Sequence, residues 1–172
     1  MAFDGELKRA IASRGGVEAL CALLMRGATS EKPSRWGHAA AATLGTIAWG
    51  DADNKKAICD RGVLPELARL VTTTDHVHGA CFCLRHVAAG PKEMKKVLEA
   101  GAIPPLAAAL RRDGPHREDA AFALKELASD KDALRAIAKR DGRADICAET
   151  ESRPRRGYSG DGVAATPRLR RG

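Results

Sequence analysis

The sequence predicts an all-α protein built as a stack of repeated helical units, and three observations carry that expectation. The chain of 172 residues is 44% hydrophobic and 30% charged but only 3% aromatic. Alanine, leucine, arginine and glycine are plentiful and β-branched residues thinly spread, which favours helices packed at short distance over sheets. The stretch GVLPELARLV from Gly62 has counterparts in GGVEALCALL from Gly15 and GAIPPLAAAL from Gly101. After each comes an alanine-rich helical pattern, HAAAATLGTIA from His38, HGACFCLRHVA from His78 and EDAAFALKELA from Glu118, and these start 40 residues apart. Self-similarity at such a period marks an array in which each unit buries its apolar face only against its neighbours.

Within a unit the first helix is short and ends at a glycine. Ile11, Ile58 and Val97 each stand four residues before it, and glycine takes the left-handed conformation just past a helix end with no Cβ penalty. Gly62 and Gly101 therefore stop the chain there. The second helix begins within a few residues, with Pro65, Pro104 and Pro105 in its first turn, where a missing amide hydrogen is not needed. It is expected to bury Leu67 and Leu70 in one copy and Leu106 and Leu110 in the next. The third helix presents Ala80, Leu84, Val87 and Ala88, then Ala120, Leu124, Leu127 and Ala128, a 3.6-residue stripe whose small members let neighbouring units approach closely. Asp75, and Asp113 with Gly114 and Pro115, are its expected start signals.

The units are unequal. Twenty-nine residues separate Gly15 from Leu44, against 22 from Gly62 to Leu84 and 23 from Gly101 to Leu124. The surplus falls in RGATSEKPSRW, which reads as an exposed loop. A fourth unit begins with DKDALRAIAKRDG and then fails, because Gly142 comes one residue late relative to Ile137 and no second or third helix follows. The expected organisation is a repeat domain over 1–142, with repeats at about 4–50, 51–90 and 91–130 and a partial one over 131–142. Residues 143–172, rich in Arg and Gly and poor in large apolar side chains, read as a disordered basic tail.

The aliphatic-x-x-x-Gly spacing, the apolar-Pro entry and the A-x-x-x-L-x-x-[LIV]-A stripe recur together and in order over roughly residues 4 to 141, and this pattern resembles the armadillo repeat. The resemblance implies a right-handed α-solenoid of about three three-helix repeats, with the third helices lining a concave groove. HEAT repeats, with two helices per unit, leave the short first helix and its glycine without a counterpart.

Superposing the third helices gives rungs at four-residue spacing, hence on one face. They are His38, His78 and Glu118; then Ala42, Phe82 and Phe122; then Thr46, His86 and Glu126. Arg85 and Lys125 border the last rung and favour an acidic or mixed partner. These eleven residues form the expected partner-binding groove. Nuclear-import members of the armadillo family typically carry Trp at the second of these rungs, to sandwich basic residues, and Asn at the third, to clamp a peptide backbone. The replacements in this chain argue against binding of a nuclear localisation signal. Phe82 and Phe122 suit either of two roles, a binding anchor or a filler between adjacent third helices. Trp36 is expected to cover the loop insert, and Trp49 to pack at the helix end beside the groove.

No Walker-type loop, GxGxxG, HExxH or GxSxG occurs, so neither an enzyme nor a cofactor is expected. The stretch DHVHGACFCLRH gathers His76, His78, Cys81, Cys83 and His86. On one helix, however, Cys81 and Cys83 point about 200° apart and cannot share a metal. Aligned with Ala41 and Ala121, and with Thr43 and Ala123, they read as small packing residues. Five cysteines (Cys21, Cys59, Cys81, Cys83, Cys147) without CxxC pairs fit reduced thiols. With no secretory signal and no run long enough to cross a bilayer, this points to a cytoplasmic and/or nuclear protein with no membrane insertion. Of the net charge of +7, +3 belongs to residues 143–172, and neither part is basic enough to demand nucleic acid. The tail clusters RPRRG and PRLRR read as solubilising disorder.

The functional expectation is a protein–protein interaction module, an adaptor or scaffold that holds an extended segment or helix of a partner in its groove. The alternatives are a nuclear transport adaptor, a nucleic-acid binder and a structural piece of a larger helical-repeat assembly. Neither end has an obvious polar cap, so self-association through the ends is also open. About three repeats is the usual minimum for a solenoid. Truncating Leu84 or Leu124 to Ala is expected to cost about 2–5 kcal/mol, comparable with the whole stability of a small domain.

Overall fold

A computed structural model describes residues 2–28, 35–72, 77–131 and 135. Among these residues every regular element is a helix: α1 (Ala2–Ser13), α2 (Gly16–Ala28), α3 (Arg35–Ala48), α4 (Ala52–Asp60), α5 (Leu64–Thr72), α6 (Val77–Ala88), α7 (Pro91–Glu99), α8 (Ile103–Ala109) and α9 (His116–Leu127). They fall into three triplets. The first helix of each triplet ends at a glycine with positive φ, 81° at Gly15, 67° at Gly62 and 74° at Gly101. At each, the glycine amide donates to the carbonyl three residues earlier, at 3.0–3.1 Å, closing the last turn before the chain reverses. Pro65 then lies in the first turn of α5, and Pro104 and Pro105 in that of α8, where the absent donors cost nothing.

The triplets stack through their third helices. α6 lies between α3 and α9, and these are the most extensive interfaces of the molecule; α5 packs on α6 and α8, and α4 on α7. Each triplet supplies fully buried aliphatics to one continuous core: Leu24, Leu44 and Ile47, then Ile58, Leu67 and Leu84, then Leu98, Leu106 and Leu127. Ala40, Ala41, Ala80, Cys81, Cys83, Ala120 and Ala123 are buried between the third helices. Small side chains on this stripe are what permit the close approach.

The stripe differs from expectation at its C-terminal end. α9 stops at Leu127, Ala128 is an exposed C-cap, and Leu124 and Leu110 are only half-buried. Among the described residues no further third helix lies beyond α9 to cover them. The helix starts differ as well. Pro115 occupies the N-cap of α9 and no side chain caps it. Asp113 lies two residues too early to reach the free amides and instead accepts from Arg117 at 2.9 Å. The cap that does form is Asp51, whose carboxylate accepts from the Asn54 amide at 3.0 Å to start α4. That amide, aided by Arg9, holds the Asp51 carboxyl below its usual range, against the opposing effect of burial. Buried Asn54 in turn donates to the Ile47 carbonyl at 3.2 Å, tying the end of α3 to the start of α4.

Ion pairs bridge successive triplets: Arg9 with Asp51 at 3.2 Å, Arg61 with Glu18, Lys96 with Asp60 at 2.6 Å and Arg85 with Asp119 at 2.8 Å. Most are solvent-exposed, where such pairs favour a register more than they add stability. Asp75, His76, most of the loop insert, Cys147 and the tail lie outside the described residues. Of the partial fourth unit, Lys131 and Arg135 are described, and both are helical.

Candidate functional site

The third helices α3, α6 and α9 stand side by side, and contacts among them join several residues of the three sequence rungs. Their spacing depends on two glycines. A Cβ on Gly79 would stand 2.8 Å from both Nδ1 and the carbonyl oxygen of His38; one on Gly45 would stand 2.6 Å from Cδ1 of Phe82 and 2.9 Å from Cα of Cys83. Without side chains at these points α3 and α6 close together, and the Phe82 ring lies over the α3 backbone. Phe82 is accordingly half-buried.

A file of rings runs along the face from this contact. His38 and His78 have centroids 6.5 Å apart, His78 and Phe82 6.4 Å, and Phe82 meets His86 edge-on at 4.5 Å. His86 then stacks on Trp49 at 5.5 Å with an interplanar angle of 21°. Trp49 stands at the helix end beside these rings, as the sequence suggests, but is less packed than expected: 58% of it is exposed. Lys8 lies with its ammonium 5.1 Å from the Trp49 ring, and its Nζ donates to the Trp49 carbonyl at 3.4 Å.

A second group spans α6 and α9. Arg85 donates to Oδ1 of Asp119 at 2.8 Å, and Nδ1 of His78 lies 3.4 Å from Oδ2 of the same carboxylate. The Arg85 guanidinium also covers the Phe122 ring at 4.1 Å, and Lys125 flanks that ring at 5.9 Å. Phe122 remains 37% exposed. Asp119 is buried, and its charge is met by the Arg85 guanidinium, with the His78 ring beside it. Burial lowers the pKa of His86 from the ordinary imidazole value, Arg85 adds to the effect, Asp119 opposes it, and Lys55 and Lys8 lower it further.

The arrangement unites His38, His78, Phe82 and His86 in one file, and Arg85, Phe122 and Lys125 in one cluster. Ala42, Thr46, Glu118 and Glu126 share the face, but among the described residues their side chains join neither group; the Thr46 hydroxyl bonds back to the Ala42 carbonyl at 3.1 Å. Sequence reasoning left out Asp119 and Lys8, and set Trp49 beside the groove without counting it among the groove residues. Asp119 has a signal in the alignment, because it stands where the preceding unit has Gly79, and a charged residue in the place of a close-packed glycine needs a partner.

Cys81 and Cys83 are fully buried, Cys81 beside Asp119. Burial pushes the Cys81 thiol up to about 12, and raises that of Cys83 as well. Among the described residues no group of three His, Cys, Asp or Glu side chains converges as a metal site, and no helix is long and apolar enough to cross a membrane. An open cleft of about 830 Å³ lies apart from the ring file, lined by Pro91, Lys92, Met94, Lys95, Ser129 and Lys131 among others. The third-helix face holds stacked rings, fixed cations and a satisfied carboxylate, an assembly suited to non-covalent recognition.

No protein-family model matches the chain, and no curated protein matches it. Solved structures do. An engineered protein from a structural genomics consortium is 35% identical, with a TM-score of 0.68, over 80% of this chain and 56% of its own. A designed armadillo repeat protein in complex with the peptide (KR)4 is 20% identical, with a TM-score of 0.65, over 91% of this chain and 64% of its own. A computationally designed armadillo repeat protein for modular peptide recognition is 21% identical, with a TM-score of 0.66, over 87% of this chain and 62% of its own. This chain thus spans between about half and two thirds of the length of the structures it matches here.

Proposed function

We propose that this chain, an armadillo-like repeat solenoid, is a non-enzymatic binding module that holds an extended segment or helix of a partner protein on the face of α3, α6 and α9. The observation that carries the reading is the exposed pair of aromatics, Trp49 at the end of the ring file and Phe122 in the neighbouring cluster, each flanked by a cation. Large aromatics left in water on an otherwise polar face are common anchors for a partner. The designed neighbour solved with (KR)4 binds a peptide, and the shared fold makes the same use reasonable for this chain. Cytosol or nucleus is the compartment that fits buried, reduced thiols.

A random-peptide display selection against the full chain tests the reading. Selected peptides should shift the Trp49 indole resonance and lose affinity in the Trp49→Ala, Phe122→Ala double variant, with the helical circular dichroism unchanged. Failure to enrich any peptide, or enrichment of peptides that bind the variant equally well, would remove it.

A further inference from the structure

We infer that the segment held on this face is acidic, with its carboxylates placed beside the Trp49–His86 stack and along the Lys125 edge. The inference rests on the binding-module reading above and adds the chemistry of the partner. The charges near the stack are unevenly engaged. Lys8 lies against the Trp49 ring at 5.1 Å, and Lys55 and Arg85 are close enough to His86 to oppose its protonation. Among the described residues neither Lys55 nor Lys125 makes an ion pair.

The acids are differently placed. Asp119 is buried under Arg85 and His78, and Asp51 is taken up by the Asn54 amide and Arg9. Glu118 and Glu126 sit on α9, across the face from Trp49 but on the same helix as Lys125, where they offset part of its charge. Around the ring stack, then, Asp119 and Asp51 are neutralised within the protein, Lys8 is buried against Trp49 and Arg85 is paired with Asp119, and Lys55 is the cation that no ion pair takes up among the described residues. Complementary potential of this kind steers an oppositely charged segment and sets its orientation. The chain's own tail is no candidate occupant, since residues 143–172 carry a net charge of +3 and would be repelled.

The test titrates the isotopically labelled full chain with four probes: (Asp-Glu)4, (Lys-Arg)4, (Gly-Ser)4 and a single-stranded octanucleotide. The expected result is that (Asp-Glu)4 shifts the Trp49 indole resonance and the amides of His86 and Phe122. Its affinity should weaken with added salt, and on the order of five-fold in Lys125→Glu. Lys55→Glu should weaken it similarly; because Lys55 is half-buried, its circular dichroism is compared with wild type, while exposed Lys125 gives the independent arm. A response to (Lys-Arg)4 at the same resonances, with none to (Asp-Glu)4, overturns the acidic assignment and leaves the binding-module reading standing. Acidic binding that ignores both lysine variants, or that maps away from this face, overturns the site. Tighter binding of the octanucleotide at these resonances overturns it in favour of nucleic acid. Silence with all four, together with an empty display selection, removes both readings.

Discussion

His86 sits where the ring file, the cations and the exposed indole meet. Burial first, and Arg85 next, hold its pKa below the ordinary value of 6.5, so its midpoint followed by NMR should lie under that of a histidine in an unstructured peptide. The consequence for stability has a definite sign. As pH falls through about 6.5 the unfolded chain takes up the proton while the folded one lags, so acidification weakens the fold until the folded-state midpoint is passed. Urea unfolding at pH 7.5 and at pH 5.5 checks the direction for the wild type, and His86→Phe should flatten the difference. The thiols give a second residue-scale expectation. Burial raises Cys21 and Cys59 to about 11 and Cys81 to about 12; since the thiolate is the reactive form, they should resist a disulfide reagent until denaturant is added. His86 and the packing role of Cys81 and Cys83 were legible in the 40-residue alignment. The place of Trp49 beside the groove was legible too, but its stack on His86 and the role of Asp119 were not, because their partners come from a neighbouring unit, and position on one helix says nothing of a reach across to the next.

Two glycines in different helices separate two physical causes at the scale of the element. At Gly62 a Cβ would meet nothing within 4 Å, but φ is 67°, so Gly62→Ala carries backbone strain alone and should cost about 1–2 kcal/mol. Gly62→Asn should recover part of it. At Gly45 the backbone is helical, and the obstacle is the Phe82 ring and the α6 main chain within 3.0 Å. Gly45→Ala must therefore push two helices apart, an overpacking that costs about 1–3 kcal/mol. Chemical denaturation of the three variants checks the contrast, and only Gly45→Ala should also displace Phe82 and His86 resonances. The helix ends set by glycine and proline could be read from sequence because their chemistry is local. The start of α9 could not, since whether Asp113 caps the helix or pairs with Arg117 depends on a two-residue shift of the N-cap. Asp51, which does cap α4, should lose about 1 kcal/mol on replacement by Ala.

For the molecule as a whole, stability is expected to follow position in the stack. Leu84 is fully buried at the centre, between units on both sides, whereas Leu124 on α9 is half-buried. Leu84→Ala should cost about 2–5 kcal/mol and Leu124→Ala distinctly less, measured by guanidinium unfolding; equal costs would mean that α9 is covered as fully as α6. Among the described residues, the three triplets and the order of their helices were legible because the pattern repeats. The inequality between equivalent leucines was not, because burial depends on which neighbours stand beside a unit, and the repeat treats all its copies alike.

The side-by-side stacking of α3, α6 and α9 also makes the face a ruler. Packed helices lie about 8–10 Å apart, and an extended chain advances about 3.3 Å per residue, so a ligand strand laid across them passes from one helix to the next in roughly three residues. Three such helices span a footprint of about six residues. Affinity for a matching peptide should climb with length up to that size and then level off, so any greater selectivity must come from contacts beyond this face.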